Sequence, residues 1–202
     1  AAKLEPRPVL ICWPESAIFT YPTYDALTKS WDEMTVAGLY DVAAESGVPI
    51  LIGALVRERV ASGGRYRGDC PKCGASRPME EGPVKCAACG VWMRVGIEIS
   101  NSALLISPKR EVIGRYDKSH LVPFSEQMPF PWVGPIVASY LKVAKVFEFR
   151  PGKSRDPWNV AGTTLGATVC YEAADPDISR IFARNGARAC VNLSNEGWFR
   201  DG

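Results

Sequence analysis

Histidine, net charge and long apolar runs are all scarce in this sequence. His120 is the only histidine among the 202 residues, so a cysteine–histidine catalytic pair would have to use it. The formal net charge is +2, which does not favour a nucleic-acid partner. No apolar run approaches the roughly 20 residues of a membrane-spanning helix, and there is no signal peptide, internal repeat or low-complexity tract.

The composition and the pattern along the chain are those of a layered α/β protein. Apolar residues make up 47% of the sequence, an ordinary share for a globular fold, and the length suffices for a sizeable core. Strands are predicted at residues 9–13, 49–55, 102–106, 111–116, 147–149, 159–160, 164–170 and 188–193, and helices at residues 23–46, 136–144 and 176–185. Strands that alternate with helices predict α/β layering.

Three chemically active side chains lie far apart in the sequence but in similar local settings. Glu15 is in WPES, Lys118 is in YDKSHLVPF and Cys170 is in TVCYE. Each lies where an apolar, strand-like run gives way to proline, glycine or charge, a common place for functional groups. A thiol nucleophile needs a base for its proton, and the oxyanion formed by its attack needs positive charge nearby. The three residues cover these needs.

The chain continues from Cys170 into a helix with recognisable ends. Asp175 and Pro176 form an N-cap followed by a first-turn proline. Asn185 and Gly186 supply the matching stop signal. Cys170 is therefore predicted to lie on a strand-to-helix connection.

Four segments together resemble the carbon-nitrogen hydrolase (nitrilase) superfamily, and within it the apolipoprotein N-acyltransferases of bacterial membranes. They are WPES, GRYDKSHLVPFSE at 114–126, VCYEAADP around Cys170, and NLSNEGWF at 192–199. The Leu-Val-Pro-Phe-x-Glu ending favours the acyltransferases over the soluble amidases. The resemblance implies a four-layer αββα sandwich. It also implies a catalytic domain carried on a membrane bundle, so the chain is expected to be a fragment that lacks the membrane part and the C-terminal strands.

The same resemblance implies a role for each matching residue. Cys170 is the acyl-accepting thiolate, Glu15 the general base and Lys118 the oxyanion stabiliser, and no catalytic cofactor is required. Additional site residues are expected at the acidic and aromatic positions Glu126, Tyr171, Glu172 and Trp198. The implied reaction passes an acyl chain from a phospholipid, through a Cys thioester, to the α-amino group of a diacylglyceryl-cysteine on a lipoprotein. The implied location is the bacterial inner membrane, with the catalytic domain facing the periplasm.

A cysteine-rich segment at 67–95 departs from this pattern and splits the catalytic domain into 1–66 and 96–202. Its cysteines form two Cys-x-x-Cys knuckles, each followed by glycine: Cys70, Cys73, Cys86 and Cys89. Paired knuckles of this kind fit tetrahedral zinc, so we expect a small structural zinc ribbon, with disulfides as the alternative. A four-cysteine site leaves no open position for catalysis. Its basic residues are offset by acidic ones, which does not favour nucleic acid.

Structural interpretations and other functions stay open at this point. Alone, Lys118 would be a surface charge and Glu15 a turn residue. Cys12 and Cys190 lie in apolar runs and are predicted to be core, and His120 is predicted to pack or hydrogen bond, since the matching segment uses Lys118. The chain could instead be a soluble amidase or nitrilase with the same three residues. It could also be a catalytically silent interaction module in which the zinc ribbon acts.

Overall fold

The structure is a computed structural model that describes residues 5–18, 20–26, 28–62, 82–86, 88–90, 92–127 and 149–195. Its strands are β1 (Ile11–Trp13), β2 (Thr23–Asp25), β3 (Ser30–Trp31), β4 (Ile50–Ser62), β5 (Gly82–Lys85), β6 (Trp92–Ser107), β7 (Glu111–Asp117), β8 (Trp158–Val160), β9 (Thr163–Val169) and β10 (Ala189–Leu193). Its helices are α1 (Glu33–Ser46), a short 3-10 helix (Cys170–Ala174) and α2 (Pro176–Arg184). No helix in these ranges is both long and apolar enough to cross a membrane.

The described strands form two sheets. In the larger sheet the order is β3-β2-β4-β6-β5, with β1 also paired to β4 and β7 to β6. In the smaller sheet the order is β10-β9-β8. The pairs β1–β4 and β9–β10 are parallel, whereas β4–β6 and β6–β7 are antiparallel. The parallel pairs require crossover connections, and α1 and α2 supply them.

Two apolar clusters hold the layers together. One joins α1 to the larger sheet and includes Leu39, Ala43, Ile52 and Leu104. The other joins the two sheets and α2, with members such as Leu51, Leu105, Tyr116, Val169 and Phe182. Successive residues of β4 belong to different clusters because strand side chains alternate between faces, so this strand is buried on both sides.

The predicted helix at 23–46 begins ten residues later than expected. Residues 23–25 and 30–31 instead form the strands β2 and β3, and β2 pairs in parallel with β4. Asp32 is the true N-cap, since its side chain accepts a hydrogen bond from the Met34 amide. The prediction of one apolar stripe along this helix was also partly wrong, because Met34 is 92% exposed while Val36 is fully buried.

Other local predictions are confirmed. The hairpin between β6 and β7 turns at 108–110, and α2 starts with an Asp175 N-cap and a proline in its first turn. Gly186 after its end has a φ of 94°, the left-handed region that favours glycine. The prediction that Cys12 and Cys190 are core residues was wrong, since both are exposed in the described structure. The predicted helix at 136–144 lies outside the described residues, and so do residues 147 and 148 of the strand predicted at 147–149.

The strands β4 and β6 run on well beyond the predicted core strands. Their pairing continues to Ser62 opposite Arg94, and β5 adds a short third strand along the start of β6. The first knuckle of the cysteine-rich segment, Cys70 and Cys73, lies outside the described residues. The second begins directly after β5, where Cys86 is buried. The segment is therefore joined to the larger sheet through a continuous antiparallel ribbon.

Candidate active site

Glu15 lies in the turn that follows β1 and is only 6% exposed. Its backbone lies against β4, where a Cβ added at Gly53 would come within 2.5 Å of the Glu15 Cα. Only glycine fits such an approach, so the sequence at 53 helps to fix the carboxylate's position. The Asn101 side chain, from the middle of β6, donates a hydrogen bond of 2.7 Å to Glu15 Oε1.

Lys118 directly follows β7 and is 1% exposed. Its amide donates to the Asn101 carbonyl at 2.7 Å, and its carbonyl accepts from the Gly152 amide at 2.9 Å. A Cβ at Gly152 would lie 1.9 Å from the Asp117 carbonyl oxygen, so a glycine is needed for this contact. Backbone hydrogen bonds on both sides therefore fix the start of the lysine side chain.

Glu126 is the partner of this buried lysine. Lys118 Nζ lies 2.9 Å from Glu126 Oε1 and 2.8 Å from Oε2. The carboxylate also accepts from the Val122 amide at 2.9 Å and from Asn101 Nδ2 at 3.3 Å. A buried ammonium is tolerable only when it is paired and hydrogen bonded, and Glu126 meets this condition.

Cys170 lies at the end of β9, where the strand gives way to the 3-10 helix. Its backbone has a φ of 53°, an uncommon conformation for a residue other than glycine. Such outliers concentrate at functional sites. Burial, the negative charge of Glu15 and a hydrogen bond to Glu15 raise the pKa of the Cys170 thiol, while Lys118 acts to lower it. At neutral pH the resting residue is therefore a thiol that donates to Glu15.

Glu172 is fully buried behind the nucleophile and fastens its turn to the lysine segment. One of its oxygens accepts hydrogen bonds from the Tyr116 hydroxyl at 2.8 Å, the Ser119 amide at 2.7 Å, the Ser119 hydroxyl at 2.9 Å and the His120 amide at 3.0 Å. The other oxygen accepts from the Val169 amide at 3.0 Å. Burial and the charge of Glu172 raise the pKa of Tyr116, which keeps its phenol protonated and able to donate.

The polar groups face a pocket of about 550 Å³. Glu15, Asn101, Lys118, Glu126 and Cys170 all line it. Its described walls are otherwise largely apolar, with Tyr21, Leu55, Ile99, Val122 and Phe149 among the lining side chains. An acyl chain or another apolar group has a surface to contact beside the thiol.

The structure thus brings Glu15, Lys118, Glu126 and Cys170 together, and it places the other predicted residues differently. Glu172 holds the backbone behind the nucleophile and does not line the pocket. Tyr171 is 61% exposed and is also absent from the described lining. Trp198 lies outside the described residues, although Asn195 of the same predicted loop lines the pocket.

Two further polar side chains near the site are His120 and Asn101. His120 Nδ1 lies 2.6 Å from Asp175 Oδ2, at the N-cap of α2, and the imidazole is largely exposed. This hydrogen bond lowers the pKa of Asp175. Asn101 was not predicted from the sequence. Its signal was a polar Ser-Asn-Ser run, residues 100–102, inside an otherwise apolar strand.

A metal ion was predicted for the cysteine-rich segment and not for this pocket. Within the described ranges, no group of three or more His, Cys, Asp and Glu side chains could hold a metal ion. Two of the four cysteines predicted to bind zinc, Cys70 and Cys73, lie outside those ranges. The zinc site therefore stays a prediction.

The structure places a thiol, a carboxylate and a buried lysine together at the strand ends of an α/β fold. The carbon-nitrogen hydrolase family model matches residues 86–202, which is more than half of the chain. The chain belongs to this family.

Curated relatives carry the name apolipoprotein N-acyltransferase. One from Geobacter metallireducens is 41% identical over 99 residues, covering 49% of this chain and 19% of the relative. One from Brucella suis is 28% identical over 210 residues, covering 99% of this chain and 30% of the relative. The chain therefore spans less than a third of the length of these relatives.

Solved structures show the same fold. A carbon-nitrogen hydrolase from Helicobacter pylori has a TM-score of 0.50 and 18% identity, with coverage of 94% of this chain and 49% of that one. Nit3 from Saccharomyces cerevisiae, a member of the nitrilase superfamily, has a TM-score of 0.51 and 15% identity, with coverage of 94% and 52%. The chain has the α/β fold of the nitrilase superfamily, as predicted.

Proposed function

We propose that this chain is the catalytic part of an enzyme that N-acylates lipoproteins, with a phospholipid as acyl donor and a diacylglyceryl-cysteine amine as acceptor. The observation that carries the proposal is the convergence of Cys170, Glu15 and Lys118 on one pocket with apolar walls. The names of the curated relatives support the choice of acyl transfer over hydrolysis.

In the first half-reaction, the Cys170 sulfur attacks the ester carbonyl of the phospholipid and its proton passes to Glu15. The raised pKa of the thiol makes this base necessary, because little thiolate is present beforehand. The ammonium of Lys118 stabilises the tetrahedral oxyanion. The intermediate then collapses, the carbon–oxygen bond to the lysophospholipid breaks, and Glu15 returns the proton to the departing alkoxide. A thioester is left on Cys170.

In the second half-reaction, the α-amino group of the lipoprotein cysteine attacks the thioester carbonyl. Glu15 accepts a proton from the attacking nitrogen, and Lys118 again stabilises the oxyanion. Collapse breaks the carbon–sulfur bond, and the proton held by Glu15 restores the Cys170 thiol. The product is an amide. In this scheme Glu126 keeps the buried Lys118 paired and pointed into the pocket.

The proposed setting follows from the proposed substrates. Both are membrane lipids, so we place the complete enzyme at the bacterial inner membrane with the catalytic part facing the periplasm. Trp198 and Tyr171 are proposed to contact the substrate, and Glu172 to hold the nucleophile turn. Nucleic acid is not a proposed partner.

Intact-mass spectrometry of the full-length protein from membranes tests this function. The wild type is expected to carry an added fatty-acyl mass that hydroxylamine removes, as a thioester requires. Cys170→Ala is expected to carry none, and Cys170→Ser is the matched control because an oxygen ester would resist mild hydroxylamine. An unmodified wild type that hydrolyses small amides would contradict acyl transfer and identify an amidase.

We also propose a structural zinc site in the segment at 67–95, built from Cys70, Cys73, Cys86 and Cys89. The second knuckle has a suitable backbone: the Gly90 amide donates to the Cys86 carbonyl at 2.8 Å, and Gly90 has a φ of 72°. Tight turns of this kind present two thiolates to one ion. Bound zinc would supply folding energy that a short insertion cannot obtain from a core of its own.

Metal analysis of the purified wild type is expected to give one zinc per chain. Cys86→Ser should lose that zinc, while the exposed Cys190→Ser should keep it. A protein without zinc, whose knuckle thiols resist labelling until a reductant is added, would contain disulfides instead.

A further inference from the structure

Asn101 lies at the centre of the polar groups in the pocket, although no motif pointed to it. It is 2% exposed, it lines the pocket, and it comes from the middle of β6. Its amide nitrogen lies 2.7 Å from Glu15 Oε1 and 3.3 Å from Glu126 Oε1. An amide nitrogen carries two hydrogens, so Asn101 donates one to each carboxylate.

The surroundings of Asn101 fix which way its amide points. Turning the amide over would bring Oδ1 against the oxygens of two carboxylates, where it can only repel them. The ammonium of Lys118 contacts both oxygens of Glu126, and the Asn101 amide donates to Glu15. The amide nitrogen is therefore committed to Glu15 and Glu126.

This orientation leaves the other end of the amide without a partner. Asn101 Oδ1 is buried and accepts no hydrogen bond within the described structure. An orphaned buried acceptor destabilises a fold, so an asparagine here needs a reason that outweighs this cost. Donation to the carboxylates is what an apolar side chain of the same size could not provide.

We propose that Asn101 is a positioning residue that holds the Glu15 carboxylate turned toward Cys170, and that it links this base to the pair of Lys118 and Glu126. The hydrogen bond from the Asn101 amide restricts rotation of the Glu15 carboxyl group, whose contact with the Cys170 thiol then stays in place. The inference rests on the proposed thioester chemistry.

The test follows acylation of Cys170 by a p-nitrophenyl ester in the full-length protein. The sulfur attacks the ester carbonyl, the thiol proton passes to Glu15, and p-nitrophenolate leaves in a burst of one equivalent. The burst rate is measured over a range of ester concentrations, which gives a maximal rate and the ester concentration at half that rate. The maximal rate reports the attack by Cys170, and the half-maximal concentration reports binding of the ester in the pocket.

Asn101→Leu and Asn101→Ser both remove the donor to Glu15. In each variant the maximal burst rate is expected to fall about tenfold, because a carboxylate that turns freely does not stay in contact with the thiol. The half-maximal ester concentration should stay at the wild-type value, because the apolar walls of the pocket are unchanged. Ser100→Ala is the matched control. Its hydroxyl is a buried polar group on the same strand, one residue away and on the opposite face, so neither the maximal rate nor the half-maximal concentration should change.

Thermal unfolding of each variant shows whether it is folded, and Asn101→Ser answers the question if Asn101→Leu fails to fold. A folded Asn101 variant with the wild-type maximal rate would overturn the inference. So would a variant whose only change is in the half-maximal ester concentration, since that indicates a change in the pocket walls and not in the base. The thioester chemistry itself would be rejected if the wild type gave no burst, or if Cys170→Ala kept the burst.

Discussion

Lys118→Met is expected to abolish the proposed acyl transfer and to destabilise the fold at the same time. Removing one oxyanion donor typically lowers kcat by about 10²- to 10³-fold, and Lys118 brings a full charge to that position. The substitution also leaves Glu126 buried without its cation, which in comparable sites costs about 3–5 kcal/mol of the free energy of unfolding. Acylation of Cys170 and denaturant unfolding are the two measurements.

A double variant separates these two effects. Lys118→Met with Glu126→Leu removes both charges together, so most of the lost stability should return, because no uncompensated charge stays buried. Acyl transfer should not return, since the oxyanion still lacks its cation. Lys109→Met is the matched control, because Lys109 is an exposed turn lysine and its loss should change neither quantity. A double variant with restored activity would show that Lys118 serves only to neutralise Glu126.

The elements that were predicted correctly carry their signals locally. Asp175 and Pro176 predict the start of α2, and the turn at 108–110 separates two apolar runs that pair as β6 and β7. The positions of Glu15, Lys118 and Cys170 at strand ends followed from the same kind of signal. Caps, turns and strand ends depend on a few neighbouring residues, so a sequence shows them.

The elements that were missed depend on partners distant in the sequence. Residues 23–31 resemble the start of a helix, but β2 pairs with β4 about 34 residues later, and the Tyr24 and Trp31 rings lie 5.1 Å apart. Asn101 was missed for the same reason. Its role appears only when the sheet brings β6 between the turn that holds Glu15 and the segment that holds Lys118.

The exposure of Cys190 has a similar cause. Its strand, β10, pairs with β9 on one side and has no strand partner on the other within the described residues. An apolar run in the sequence predicts a strand, but it does not say how many neighbours that strand will have. Burial at such an edge depends on what covers it, which the run itself does not encode.

Glu172→Ala is expected to be the most destabilising single change behind the site. The substitution removes the acceptor for the buried Val169 amide and Tyr116 hydroxyl, and for the partly buried amides of Ser119 and His120. Each unsatisfied buried donor costs about 1–3 kcal/mol, so we expect a loss on the order of 4 kcal/mol or more. Glu172→Gln should lose less, because its amide oxygen can keep one set of donors while its nitrogen faces the Val169 amide. In denaturant unfolding, the free energy of unfolding should be highest for the wild type, lower for Glu172→Gln and lowest for Glu172→Ala.

Glu172 connects stability to catalysis. Its two oxygens join the segment after Lys118 to the end of β9, directly before Cys170. In Glu172→Gln, amide hydrogen exchange should rise at Val169 before it rises elsewhere in β9, and acylation of Cys170 should slow even where the protein is fully folded. Glu111→Gln, an exposed carboxylate on β7, should change neither exchange nor acylation. If Glu172→Gln acylates Cys170 at the wild-type rate, the register between the two segments does not depend on this carboxylate. The buried charge would then contribute to folding alone.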